Sequence, residues 1–227
     1  MIFTHKPITV PKLKRNHVDG IRLYEEVDTK QPGYYTSITS ITSHWSKSKF
    51  AAWRKRVGED EANRITKRAT TRGTHTHSLI ENFLNNEDVP KADPLPTYLF
   101  NNAKTELNKI NNIIGIEIGL FSKYLGIAGT ADCIAEFDGV LSVIDFKTSE
   151  KPKPVEWIEG YFVQATAYAM MLYELTGEMA KQLVIIMTCE DGEVIEYKET
   201  NLKKYILLLN QYINKFNADK ESEYGSI

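Results

Sequence analysis

Gly129-Thr130-Ala131-Asp132-Cys133-Ile134-Ala135-Glu136-Phe137, then Asp138-Gly139, then Val140-Leu141-Ser142-Val143-Ile144-Asp145-Phe146-Lys147-Thr148-Ser149, is the stretch on which the fold turns. Two runs rich in β-branched and aromatic residues flank an Asp-Gly pair, the strongest short-range signal for a two-residue hairpin. With Asp138 and Gly139 as the loop, Phe137 faces Val140, and counting outward sets Asp132 opposite Asp145. Partners across a regular hairpin hold their Cβ atoms about 4.5–5.5 Å apart. Lys147 stands two residues beyond Asp145, so its side chain emerges on the same face, among Ile134, Glu136, Leu141 and Val143. Opposed carboxylates on a largely apolar face repel each other unless a cation neutralises them. Hard oxygen ligands suit Mg²⁺ or Mn²⁺, and an ammonium one step along can bind a phosphate and position or deprotonate a water. A lone Asp-x-Lys tripeptide is more often a structural ion pair at a strand end. Asp132 at the complementary position is what turns this one toward chemistry.

Working outward, the hairpin strands are expected over Gly129–Phe137 and Val140–Thr148. Upstream, Ile114, Ile116, Ile118 and Leu120 alternate with Gly115, Glu117, Gly119 and Phe121, a period of two that predicts a third strand with the aliphatic row on one face. Before it, Tyr98–Ile110 has helical spacing, and three prolines mark Asn85–Pro96 as a loop. From Thr36 the pattern is helical: Ser40 or Thr42 is the cap of a segment carrying Ile41, Trp45 and Phe50, Gly58 ends a helix holding Trp53 and Val57, and another helix runs from the acidic Glu59-Asp60-Glu61 to Leu84, with a break near Gly73. Residues to Tyr35 have no clear period, and Ile21, Leu23 and Val27 mark a strand or hairpin there. Downstream come a helix over Gly160–Leu175 closed by Gly177, strands at Leu183–Cys189 and Val194–Tyr197 around Asp191-Gly192, and a helix over Leu202–Phe216 followed by a polar tail. The order predicts an α/β fold, a central mixed β-sheet flanked by helices. It reads as a single domain over 1–227, with a mainly helical part to residue 110, a catalytic sheet core over 111–200 and a C-terminal helix and tail.

Composition narrows the classes. The chain has 227 residues, 42% hydrophobic and 26% charged, as one soluble α/β domain would. A formal charge of −2 excludes a protein that coats nucleic acid, so any contact with DNA must be local. Cys133 and Cys189 are the two cysteines, too few for a cysteine-only zinc or iron–sulfur centre, and both are expected reduced in apolar strands. No N-terminal apolar segment or membrane-length run occurs, which predicts an intracellular, cytoplasmic protein.

Gly129-Thr130-Ala131-Asp132, Ile144-Asp145-Phe146-Lys147-Thr148-Ser149, and Gln164 with Tyr168 in QxxxY spacing resemble the core of the PD-(D/E)XK nuclease superfamily. Arg72-Gly73-Thr74 followed by His77 resembles the RGxxxH helix of its RecB-like exonuclease branch. The Ser37-Ile38-Thr39-Ser40-Ile41 segment with Trp45 is also similar to the mitochondrial genome maintenance exonucleases and their phage relatives. The resemblance implies a restriction-endonuclease-like core. It makes Asp132, Asp145, the Phe146 carbonyl and His77 metal ligands, Lys147 the catalytic lysine, and Gln164 and Tyr168 supports of the site that touch DNA. The branch often carries a glutamate where Glu117 stands, which adds a further ligand candidate. Ala131 replaces the proline of the family name, and the four cysteines of iron–sulfur members are absent.

Other residues have plainer alternatives. Glu81, one turn from His77 on the same helix face, is a candidate support for it, whereas His75 falls on another face and reads as surface. Arg72 is a phosphate contact or an ion pair. Lys47, Lys49, Arg54, Lys55, Arg56, Arg64, Lys67 and Arg68, interleaved with Trp45 and Trp53, suit single-stranded nucleic acid or else a solvated helix face over core tryptophans. Tyr161 and Tyr173 read as core. Together these predict a Mg²⁺- or Mn²⁺-dependent DNA exonuclease acting on single strands or free ends. The alternatives are a structure-specific endonuclease on the same core, or a non-catalytic DNA-binding module that kept the fold.

Overall fold

Residues 2–27 and 29–224 are described by the computed structural model. Strands β1 (Leu13–Val18), β2 (Ile21–Glu26) and β3 (Tyr34–Ser37) precede helices α1 (Ile38–Val57), α2 (Glu59–Leu84) and α3 (Pro94–Leu107). Strands β4 (Ile110–Ser122), β5 (Ile127–Phe137) and β6 (Val140–Ser149) follow, then a single 3₁₀ turn at Val155–Trp157 and helix α4 (Glu159–Thr176). Strands β7 (Gln182–Cys189) and β8 (Val194–Glu199) and helix α5 (Leu202–Tyr224) complete the order. The N-terminal part thus supplies three strands besides its helices. The β1–β2 hairpin turns on Asp19 and Gly20, both at positive φ, a second Asp-Gly turn of the kind that joins β5 to β6. Helix α5 extends past the expected Phe216 to Tyr224, and residues 225–227 of the expected tail lie outside the described residues.

Helix boundaries have local causes. Gly58 at φ 89° separates α1 from α2, whose first turn carries Glu59, Asp60 and Glu61 at the positive end of its dipole. Gly177 in the left-handed conformation closes α4. The expected break at Gly73 does not occur, and α2 runs through it. A Cβ at Gly73 would stand 3.7 Å from Thr148 Oγ1, so the helix passes close over β6 there.

Among the described residues all eight strands form one mixed sheet in the order β1-β2-β3-β5-β6-β7-β8, with β4 also paired to β5. Strand β5 is antiparallel to β4 along one edge. Its other edge is shared. Ile127 and Ala128 pair in parallel with β3, and Cys133 to Phe137 pair antiparallel with β6. Gly129 to Asp132 lie between these partners, so the sheet forks at the Gly129-Thr130-Ala131-Asp132 segment. Strands β6 and β7 are parallel, with Asp145 beside Ile185.

Two apolar layers cover the sheet. One gathers Val143, Leu183, Ile185 and Met187 of the sheet with Phe162, Val163 and Tyr168 of α4, Ile38 and Ile41 of α1, and Leu209 of α5. The other gathers Cys133, Phe137, Ile144, Phe146 and Ile186 with Leu79 and Ile80 of α2 and Phe100 and Leu107 of α3. The expected single-faced aliphatic row of β4 is not found. Ile118 and Leu120 pack in the first layer, whereas Ile116 packs against the second. Glu117 between them has φ 47°, and this left-handed residue sends Ile116 and Ile118 to different layers while the pairing with β5 keeps its register on both sides of it; the register shift of β4 falls earlier, between Asn111 and Gly115.

Candidate metal centre and active site

The fork creates the site. The hairpin register runs as the Asp-Gly turn dictates from Phe137↔Val140 to Cys133↔Ile144, and there the ladder stops. Asp132 and Asp145, expected to face each other in the next step, are therefore not ladder partners. Asp132 reaches across instead, and its Oδ2 accepts the Phe146 backbone N–H at 2.9 Å. A side chain takes the place of a backbone acceptor, which satisfies the Phe146 amide where the strands part.

His77, Glu117 and Asp132 offer ligand atoms that all lie within 4.8 Å of one another. They come from α2, β4 and β5, and Glu117 holds its place in β4 with a left-handed backbone. The His77 ring is held at Nε2, which lies 2.8 Å from the Phe146 carbonyl oxygen. A carbonyl only accepts, so Nε2 carries the proton it donates there, and Nδ1 is the nitrogen left to face the acids. That nitrogen stands 3.7 Å from Asp132 Oδ2. The two atoms are near enough to share one cation, whether a proton on the ring or a bound metal ion. A backbone acceptor fixing the far nitrogen is the usual support of a metal-binding histidine. The Phe146 carbonyl, expected as a ligand, is thus the group that orients His77.

Asp145 stands outside this set of three. It is 1% exposed, and its Oδ2 lies 2.5 Å from Lys147 Nζ. That contact is an ion pair outside hydrogen-bond geometry, and neither carboxylate oxygen accepts a hydrogen bond. Burial pushes the Asp145 carboxyl up to about 6, against the pull of Lys147 and with the push of Asp132. Glu117 is raised to about 7, by burial first and then by the Asp132 charge, with Glu81 and Asp145 adding to it and His77 opposing. The residue as a whole is exposed, so solvent tempers this rise. Burial alone would lower the Lys147 ammonium, but the charges of Asp145 and Asp132 more than reverse this and raise it above its ordinary value. Lys147 is therefore a fixed cation and not a base. Perturbed acids clustered in this way mark functional sites more often than structural ones.

A buried carboxylate with Lys147 as its sole partner among the described residues, further acids beside it and a histidine nitrogen aimed into the cluster fit a divalent cation. Oxygen donors with one nitrogen suit Mn²⁺ well and Mg²⁺ acceptably.

The supporting residues are placed around this centre. Gln164 Nε2 donates to the buried Tyr168 hydroxyl at 3.1 Å. A Cβ on Gly129 would lie 2.8 Å from the Tyr168 ring, so the glycine admits the α4 tyrosine to the fork. The Arg72 guanidinium is committed to Glu190 and, through Nε at 3.1 Å, to Thr148 Oγ1. It ties α2 to the end of β6 one residue from Lys147, which makes it a support and not a free phosphate contact. Glu81 contributes charge near Glu117 and does not bond the His77 ring. His75 pairs with Asp93 at the surface. Trp45 stacks on Tyr212 with centroids 4.0 Å apart and packs against the first layer, while Trp53 stacks on Phe50 along α1.

Tyr161 was missed. Read as core, it lies under the Lys147 ammonium, 5.0 Å from its ring centre. Its position one helical turn before Gln164 was the available signal.

No family model matches the chain. It is 27% identical over 225 residues to human mitochondrial genome maintenance exonuclease 1, a match that covers 92% of this chain and 62% of the relative. The Xenopus tropicalis protein of the same name is 31% identical over 189 residues, covering 75% of this chain and 54% of the relative. The chain thus spans about three fifths of the human relative's length. Among solved structures, a putative exonuclease from Eubacterium rectale aligns with TM-score 0.47 and 12% identity, over 70% of this chain and 68% of the other.

Proposed function

We propose that this protein is a divalent-metal-dependent DNA exonuclease, and that it acts on single-stranded ends with Mg²⁺ or Mn²⁺. The observation that carries the reading is the convergence of His77, Glu117 and Asp132 within 4.8 Å beside the buried Asp145–Lys147 pair. The sequence relationship to mitochondrial genome maintenance exonuclease 1 supports it.

His77, Glu117 and Asp132 would hold the ion, with Asp145 as a further donor once Lys147 turns to substrate. A bound divalent cation supplies charge stabilisation at the phosphate and an activated water. The protein's own groups do the rest. Lys147, held protonated by the acids around it, binds a non-bridging phosphate oxygen and steadies charge as it develops there. Before substrate arrives, Asp145 and the Tyr161 ring hold the ammonium beside the cluster. Phe146 fixes two partners, His77 through its carbonyl and Asp132 through its amide.

The test is digestion of one oligonucleotide, as a linear strand and as a covalently closed single-stranded circle, with Mg²⁺, Mn²⁺ or EDTA. Metal-dependent loss of the linear strand beside an intact circle is expected. Equal cutting of both would make the protein an endonuclease, and no cutting in any metal would refute hydrolysis.

A further inference from the structure

A groove of about 750 Å³ runs beside the catalytic cluster, between α1 and the segment that leads from β6 into α4. Tyr161 and Gln164 form its inner end, and Tyr161 is the residue over which the Lys147 ammonium sits, so groove and cluster are continuous. Phe50 of α1 and Trp157 of the 3₁₀ turn both line it, and they are 47% and 77% exposed. A tryptophan left that open has apolar area in water without a partner in the fold. Phe50 is steadied from behind by its stack on Trp53. Trp45, stacked on Tyr212, forms a fixed wall.

Charge in the groove is divided. Lys49 and Lys153 line it, with Lys153 Nζ 3.2 Å from the Tyr161 hydroxyl. Glu156 and Glu159 line it too, so it carries no net attraction for a polyanion as a whole. A ligand that suits it presents flat apolar faces and a sparse line of negative charge that keeps to the lysines. An unpaired nucleic-acid strand does this. Its bases stack on aromatic rings whatever their identity, while its phosphates follow cations.

We propose that this groove binds unpaired nucleotides on one side of the scissile phosphate, with Trp157 and Phe50 as base platforms and Lys49 and Lys153 as phosphate contacts. The proposal rests on the nuclease reading above and assigns a strand path to it. Base stacking on such platforms changes affinity by roughly tenfold per ring.

The test separates binding from cleavage. Affinity for a fluorescein-labelled oligo-dT and for the same strand with abasic sites is measured by anisotropy in EDTA, and the linear strand's digestion in Mg²⁺ is followed separately. For the wild type, removing bases loses both stacks and weakens binding roughly a hundredfold. Trp157→Ala and Phe50→Ala each weaken binding of the intact strand by about tenfold and leave the abasic strand nearly unaffected, and Trp157→Phe restores most of the loss. Val155→Ala, an exposed position in the same turn that does not line the groove, serves as the control. Unchanged binding in both alanine variants overturns the proposal while digestion of the linear strand keeps the nuclease reading. Equal losses for intact and abasic strands also overturn it, since stacking then plays no part. The expected binding pattern in a protein that digests nothing keeps the groove and refutes hydrolysis.

Discussion

Asp145→Asn removes a charge that the fold holds at a disadvantage, and the metal-free protein should become more stable by an amount that grows with pH. The wild-type carboxyl titrates near 6 in the native state, against an ordinary value of 3.8. Because the native group binds its proton more tightly than the unfolded one, its contribution is complete below about pH 4 and disappears as pH rises through about 6. Roughly two pKa units correspond to about 3 kcal/mol at pH 8. The side chain is 1% exposed, so solvent does not discount this heavily. Asparagine keeps the shape and does not titrate. For a chain of 227 residues, 1 kcal/mol shifts Tm by roughly 2–4 °C. The variant should therefore match the wild type near pH 4.5 and exceed it by about 6–12 °C at pH 8 in EDTA. Lys147 loses its ion pair with Asp145 in the variant and keeps only the more distant charge of Asp132, so this gain is an upper bound. Thermal denaturation followed by circular dichroism from pH 4.5 to 8 reads the gap directly. Saturating Mn²⁺ should close it, by stabilising the wild type more than the variant. A gap that is constant with pH, or a variant less stable than the wild type at pH 8, refutes the account of Asp145 as a buried acid awaiting a cation.

Alanine at Asp132, Asp145 or Lys147 should each abolish digestion of linear single strands in Mg²⁺ while leaving the circular dichroism spectrum native; near-normal turnover in any one removes that residue from the site. His77→Ala should lose more activity in Mg²⁺ than in Mn²⁺, since Mg²⁺ sheds its waters reluctantly and is held less well by the remaining carboxylates, and wild-type rates with both metals would make the histidine structural. Gly129→Ala places a methyl 2.8 Å from the Tyr168 ring and 3.0 Å from Ile38 Cγ2. It should cost about 1–3 kcal/mol, read as a lowered urea midpoint, as overpacking of a filled core does.

Much of this arrangement was legible because it follows local rules. The Asp138-Gly139 turn sets the β5–β6 register one step short of the aspartates, and the two-residue period places Asp145 and Lys147 together. What escaped were departures from period. The alternation around Glu117 reads as an unbroken strand, and only a left-handed backbone at that residue sends Ile116 and Ile118 to different layers. A left-handed glutamate in mid-strand has no sequence signature of the Asn-Gly kind. The fork escaped as well, since no hairpin arithmetic shows that β3 claims Ile127 and Ala128 from the edge that β6 leaves. Arg72 was ambiguous because its partner Glu190 is distant in sequence, in the turn after β7. Tyr161 escaped because its spacing suits a core position as well as a platform for Lys147.

The same departures explain why the cluster is suited to a cation. Glu117 holds a left-handed backbone that L-residues with long side chains rarely adopt. It and Asp145 keep carboxyls raised to about 7 and about 6 in a region that Asp132 and Glu81 crowd further. His77 presents Nδ1 toward Asp132 because the Phe146 carbonyl holds its other nitrogen. Each feature is unfavourable alone, and they occur around one fork in one sheet. A structural Asp–Lys pair at a strand end would explain the contact between Asp145 and Lys147. It would not explain a left-handed glutamate in mid-strand whose carboxylate lies beside two others. A divalent ion relieves all of these at once: it attracts the carboxylates, displaces their protons and accepts the imidazole lone pair. Ion binding should then release protons near neutral pH and weaken as pH falls below about 7, where Glu117 regains its proton.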